Sequence, residues 1–402
     1  MTWLLAKSEL KQEQKKAVEL PIDKHQLITG PPGSGKTQIL VHRAKFLCNQ
    51  YKVQSDEFRI FVFTNVLKDY IKQGIDLIGL PEENVLTFDY WCRHYYKSHI
   101  SGRLPWDNAN ETTDFVAVRQ GVRQHVERLT APLYRFVMVD EGQDLDAECF
   151  EILRRISHHV TVCMDTRQQI YARGANESII MQKLQIDKAN SNLLKGFRCS
   201  PYIISLAKEF IPSTAQRTDF GRDLKPFEFS ERQTPLLYYA ANPEDEQNRL
   251  YKLLIERQQL SEKIGVLFAT KKMAFGWSQA MAERGLHVEN PKTIDFLSGH
   301  PKFMSYHSAK GLAFDTVFLP SLTSRSFKWV GEREDIDKLL FVGITRARKW
   351  VYLSTRADQG LSRLSELQSL ADSNELTIQR FSQAVQTEQK KEDDETGFVF
   401  DL

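Results

Sequence analysis

The eight residues Gly30-Pro31-Pro32-Gly33-Ser34-Gly35-Lys36-Thr37 constrain this chain most. They follow an apolar run at 25–29 and precede a helix-like segment at 38–49. Glycines at these positions let successive backbone N–H groups converge on one point, and a helix opening there adds its positive dipole end. That is how a chain wraps phosphate oxygens. Lys36 is then placed to neutralise the β and γ oxygens of a nucleoside triphosphate, and the Thr37 hydroxyl to hold Mg²⁺. The competing reading is a tight turn that binds nothing. It is opposed by a complete motif in the strand-to-helix context the motif requires.

A second constraint is Asp140-Glu141-Gly142-Gln143-Asp144, which ends the apolar run 136–139. Adjacent acids at the end of a buried strand are costly unless they bind something. Asp140 is expected to coordinate Mg²⁺, directly or through water. Glu141 is expected to orient and deprotonate an attacking water.

Five β-like runs punctuate the first half, at 25–29, 59–64, 84–88, 136–140 and 160–165. A second series lies at 236–240, 264–270, 303–307, 316–320 and 350–354, with helical segments at 244–259 and 273–284. Near-continuous apolar strands alternating with helices predict parallel sheets buried on both faces. The expected domains are 1–192, with a small insertion at about 93–134, and 193–380. Residues 381–402 form a charged tail. Its apolar end, Gly397-Phe398-Val399-Phe400-Asp401-Leu402, either binds a partner or packs back on its own domain.

Composition narrows the class. A hydrophobic content of 41% and a charged content of 26% are ordinary for a soluble protein, and a net charge of +2 neither demands nor excludes nucleic acid. The five cysteines are scattered without a CxxC pair, which argues against a zinc site or a disulfide framework and for a reducing compartment. No apolar run is long enough to span a bilayer, and residues 1–7 lack the pattern of a signal peptide. A cytoplasmic protein is expected.

Further segments carry a resemblance. Leu10-Lys11-Gln12-Glu13-Gln14, Phe63-Thr64-Asn65, Thr87-Phe88, residues 165–171 with Arg173-Gly174-Ala175, Leu194-Lys195-Gly196-Phe197-Arg198, Tyr306-His307-Ser308-Ala309-Lys310-Gly311 and residues 339–348 occur in that order. With the two acidic and phosphate-loop segments, they resemble the motifs of UvrD/Rep-type superfamily 1 helicases. The resemblance covers residues 10 to about 355. It implies two RecA-like parallel-sheet domains in tandem, with ATP and Mg²⁺ in the cleft between them.

It also implies residue roles. Gln14 reads adenine, Phe197 stacks on it, and Gln38 and Gly311 lie at the nucleotide. Gln168 couples the γ-phosphate to the nucleic-acid groove, and Arg198 and Arg346 reach the γ-phosphate, Arg346 as an arginine finger expected at a helix start. Phe63, Thr64, Asn65, Thr87, Phe88, Tyr171, Arg173 and His307 meet single-stranded nucleic acid, DNA more than RNA. Travel is 3′ to 5′.

The chain also departs from that family. The third motif is one residue short and lacks the aromatic before Arg173, a base-stacking contact worth roughly 1–3 kcal/mol. Ala313 stands where a glutamate is usual, Gln38 where arginine is common, and Met164 where glycine is usual. Both bulky insertions of the family are reduced. Two readings follow. One is an ATP-driven translocase or helicase. The other is a regulatory ATPase that switches a partner, such as a nuclease in a DNA-repair or antiviral complex. A small-molecule kinase would leave the arginine segments unexplained. His158-His159, Lys271-Lys272, Tyr95-Tyr96 and Tyr238-Tyr239 have ordinary explanations as solvated turn, helix surface and packing.

Overall fold

The computed structural model describes residues 4–165, 174–187, 191–193, 199–211, 217, 218, 220, 233–328, 330 and 333–381. Gln168, Tyr171, Arg173, Phe197, Arg198 and the tail from residue 382 lie outside the described residues. The chain divides into two units between residues 197 and 198.

The first unit holds a six-stranded sheet. Its strands are β1 (Gln26–Thr29), β2 (Phe58–Val62), β3 (Val85–Thr87), β6 (Tyr134–Val139), β7 (Ser157–Met164) and β8 (Ser191–Leu193). They lie in the order β3-β2-β6-β7-β1-β8, and every pairing is parallel. Helix α1 (Gln12–Val18) precedes the sheet, α2 (Lys36–Tyr51) joins β1 to β2, and α3 (Asn65–Ile75) joins β2 to β3. That first crossover carries the chain from β1 past β7 and β6, so β1 lies at a reversal of strand order. In such sheets ligands bind beyond the strands' C-terminal ends at the reversal.

Between β3 and β6 come α4 (Phe88–His99), a short antiparallel hairpin of β4 (Trp106–Asp107) and β5 (Thr112–Thr113), and α5 (Phe115–Val126). Helix α6 (Ala147–Ile156) joins β6 to β7, and α7 (Glu177–Leu184) follows β7. Val118, Val122 and Val126 lie on one face of α5 at helical spacing and are fully buried with Cys149, Ile152 and Leu153 of α6. Arg119, on that helix, bonds Asp89 at 2.8 Å and Asp146 at 3.0 Å. The segment between β3 and β6 is thus built into the core of this unit.

The second unit repeats the architecture. Strands β9 (Leu236–Ala240), β10 (Ile264–Phe268), β11 (Lys302–Ser305), β12 (Phe314–Leu319), β13 (Ala347–Arg356) and β14 (Thr377–Arg380) form a wholly parallel sheet, ordered β11-β10-β12-β13-β9-β14. Helices Pro243–Gln259, Lys271–Glu283 and Arg333–Ile344 connect them. The chain is therefore α/β, with two RecA-like parallel-sheet domains in tandem. Among the described residues no helix is long and apolar enough to cross a membrane.

The sequence did not predict β8, β14 or the β4–β5 hairpin. Arg346 corrects another expectation: it does not open a helix. The helix closes at Ile344, the Thr345 hydroxyl turns back to donate to the Val342 carbonyl, and β13 begins at Ala347. Pairing of the next residues with β12 takes the chain out of helical geometry.

Candidate functional site

In the first unit β1 ends at Thr29 and α2 begins at Lys36. Between them Gly33 and Gly35 take φ of 76° and 87°, a region that glycine enters without cost. A side chain at Gly35 would also lie 2.4 Å from Gln14 Nε2. That nitrogen donates to the Ser34 carbonyl at 2.9 Å, while Gln14 Oε1 accepts from the Lys11 N–H. Gln14 therefore sits against the phosphate loop. Fully buried Arg43 anchors the segment after α1, donating to the carbonyls of Val18, Leu20 and Pro21 and to Thr161 Oγ1. Burial pushes its pKa down to about 10.

The Lys36 ammonium is buried and donates to the carbonyls of Gly30 (2.8 Å) and Pro31 (3.1 Å). Thr37 Oγ1 donates to Asp140 Oδ2 at 2.6 Å, joining the first turn of α2 to the end of β6. Asp140 is 1% exposed. Burial and the neighbouring Glu141 carboxylate push its pKa up to about 7, against the pull of Thr37 and Lys36. A buried carboxylate in that state is stabilised by a cation. Glu141, also buried, has φ 54°, and the turn Gly142–Asp144 follows it. Gln38 is buried and accepts from the Leu5 N–H at 3.1 Å.

These donors fit Mg²⁺. The Thr37 hydroxyl and Asp140 carboxylate are hard oxygens side by side, and Mg²⁺ sites of this kind use one or two protein ligands plus phosphates and water. The Ser34 hydroxyl, buried in the loop, has no hydrogen-bond partner among the described residues. Among those residues, no group of three or more His, Cys, Asp or Glu side chains is placed to hold a metal.

Two anticipated nucleic-acid segments meet at one cavity of about 280 Å³, lined by Phe63, Asn65, Thr87 and Phe88 among others. Thr64 caps α3 by accepting from the Leu67 N–H, and Thr87 caps α4 by accepting from Tyr90 N–H. Both helices thus start at this edge of the sheet. Phe88 is 2% exposed and packs against Phe61 and Trp91, so it walls the cavity from the core side. Tyr90 and Arg93 line the same cavity and were not anticipated. Tyr90 is 56% exposed and stacks on His94. Helical spacing from the Thr87 cap was the signal that could have found both.

In the second unit the segment at 306–312 and the segment at 339–348 are bonded to each other. Arg346 is buried; its Nε donates to the Val342 carbonyl and its Nη1 to the Leu312 carbonyl, at 3.1 and 3.2 Å. The Phe314 N–H donates to the Arg346 carbonyl. Tyr306 is fully buried, and a side chain at Gly343 would lie 2.7 Å from its ring. Gly311 takes φ 79° in the turn between them. His307 is half-buried, its pKa lowered by burial and by Lys310.

The model of the UvrD/REP helicase N-terminal domain matches residues 10–133 and 119–186, and that of the UvrD-like helicase C-terminal domain matches residues 302–354. A protein of Mycoplasma pneumoniae assigned as a DNA helicase is 23% identical over 240 residues, which is 54% of this chain and 43% of that protein. A protein of Acanthamoeba polyphaga mimivirus, assigned as an ATP-dependent DNA helicase, is 22% identical over 365 residues, 80% of this chain and 50% of its own length. A DNA helicase II homologue of Rickettsia conorii is 38% identical over 77 residues, 17% of this chain and 12% of its own. The chain thus spans about half the length of the first two relatives, or less. The N-terminal match includes the phosphate loop and Asp140, the C-terminal match includes His307 and Arg346, and together they span more than half of the 402 residues. By these matches, the chain belongs to the UvrD-like helicase family.

Proposed function

We propose that the protein is an Mg²⁺-dependent ATPase that couples hydrolysis to 3′-to-5′ movement along single-stranded DNA, or to unwinding of DNA with a single-stranded tail. The observation that carries this reading is the 2.6 Å hydrogen bond from Thr37 to Asp140, beside Glu141 and the phosphate loop. Bound Mg²⁺ would neutralise phosphate charge at Thr37 and Asp140. The loop N–H groups and Lys36 bind the β and γ oxygens, and Lys36 exchanges its two carbonyl partners for phosphate. Glu141 orients the attacking water and takes its proton. Gln14, Gln38, Phe197 and Gly311 hold the nucleotide. Gln168, Arg198 and Arg346 respond to the γ-phosphate, with the arginines stabilising charge in the transition state. Phe63, Thr64, Asn65, Thr87, Phe88, Tyr171, Arg173 and His307 form the path of the strand.

The test is ATP turnover with and without single-stranded DNA across a salt series. Wild type should be stimulated, and stimulation should fall steeply with salt as phosphate contacts are screened. Lys36→Ala and Glu141→Gln should lose turnover. Equal turnover regardless of DNA would sink the proposed coupling. A second reading, a regulatory ATPase that switches a nuclease or other partner, is favoured by the shortness of the segment between β3 and β6, which holds only α4, a hairpin and α5 among its named elements. Robust unwinding by the isolated chain would count against it.

A further inference from the structure

Gln143 lies in the turn after Glu141 and is fully buried. Its Nε2 donates to Glu141 Oε2 at 2.5 Å, and its Oε1 accepts from the Asp165 N–H at 3.0 Å. The orientation of this carboxamide is forced. A backbone N–H can only donate, so the oxygen must face Asp165 and the NH₂ must face the carboxylate. The turn that carries it is equally constrained. Glu141 sits at φ 54°, a left-handed conformation that a non-glycine residue rarely adopts. A side chain at Gly142 would lie 2.4 Å from Val162 Cγ1, so the turn is pressed onto β7 with no space to shift.

From this geometry, we propose that Gln143 is a positioning residue for hydrolysis, holding the Glu141 carboxylate to the end of β7 at Asp165. The inference rests on the reading of Glu141 as the group that orients the attacking water. A neutral amide suits the task. It fixes the plane of the carboxylate and the direction of its second oxygen through one hydrogen bond. A lysine or arginine there would hold the group as firmly but would depress its pKa and weaken it as a base. The other arm of the amide matters as much. Asp165 follows the last residue of β7, so the carboxylate is referenced to the sheet rather than to its own flexible side chain. Small errors in the position of such a group cost rate more than binding.

The experiment is a double-mutant cycle on the full chain. Gln143→Met removes both hydrogen bonds at nearly constant volume. Gln143→Glu keeps the acceptor for the Asp165 N–H but sets a second carboxyl group against Glu141 in place of the amide donor, so it disturbs that arm alone if the Met variant fails to fold. Each is combined with Glu141→Gln. ATP turnover is measured under saturating DNA, with affinity for a fluorescent ATP analogue and urea unfolding measured in parallel. The expected result is a drop of about 10- to 100-fold in kcat with KM and analogue affinity held, and no further drop when Glu141→Gln is already present. Wild-type kcat in both Gln143 variants while Glu141→Gln is inactive would overturn the positioning role and leave the Glu141 reading standing. Additive losses, or kcat and affinity falling together, would overturn it as well, because a merely structural residue behaves that way. Full turnover in Glu141→Gln alone would remove the reading of Glu141 and this inference with it.

Discussion

At Gly343 the chain has no room for a side chain: a Cβ would meet Tyr306 Cε1 at 2.7 Å and Leu319 Cδ2 at 3.1 Å. Tyr306 is fully buried and cannot swing aside. Gly343→Ala should therefore destabilise the second unit by about 1–3 kcal/mol, read as a lower urea midpoint. His159 makes a different prediction. Its ring contacts Arg43 Nη2 and Thr161 Oγ1, and burial, Arg43 and His25 hold its pKa well below the ordinary 6.5. Below about pH 6.5 the unfolded chain takes up a proton that the folded site refuses. The stability contributed by neutral His159 is thus present above that pH and lost as pH falls. Between about pH 7.5 and pH 5.5, His159→Gln should lose stability less steeply than wild type, by up to roughly 1.4 kcal/mol per unit below pH 6.5. Parallel slopes for the two proteins would refute that account.

At the scale of elements, Arg119 of α5 reaches both α4 and the residue that precedes α6, and Arg123 adds a bond from α5 to Glu151 of α6. Arg119 is buried, while Asp89 and Asp146 are partly exposed, so the ion pairs are screened and worth less than fully buried ones. Arg119→Met should cost about 1–2 kcal/mol and loosen the wall of the cavity lined by Phe63 and Thr87. Chemical denaturation gives the first quantity. Faster amide exchange in α5 than in α2 gives the second. The central strands and long helices were legible because each is a contiguous apolar run or a periodic segment. Strands β8 and β14 were not. Ser191-Asn192-Leu193 and Thr377-Ile378-Gln379-Arg380 are short and mostly polar, and they become strands because an edge of a finished sheet offers them hydrogen bonds.

At the scale of the molecule, each unit has its own sheet and its own buried cluster. The proposed chemistry needs both. Lys36, Thr37, Asp140 and Glu141 belong to the first unit, and Arg346 to the second. If Arg346 stabilises the transferred phosphoryl group, Arg346→Ala should lower kcat by about 10³-fold or more while nucleotide binding persists. Steady-state turnover beside analogue binding checks this. Urea unfolding controls for the lost bonds to Val342 and Leu312.

Two things were readable in the order of residues alone: two parallel α/β repeats, and the phosphate loop with its acidic strand end. Both are written in contiguous stretches whose backbone chemistry is local, such as glycine at positive φ or a carboxylate closing an apolar strand. The tertiary structure decided which distant groups meet. Thr37 reaches Asp140 because the strand order β6-β7-β1 leaves only β7 between the two strand ends that carry them. Gln143 reaches Asp165 because the turn after β6 is pressed onto β7. Phe88 faces the core and Tyr90 the solvent because α4 starts at Thr87 and buries one face. Such pairings depend on sheet order and on burial summed over a whole unit, and no short stretch of sequence contains either.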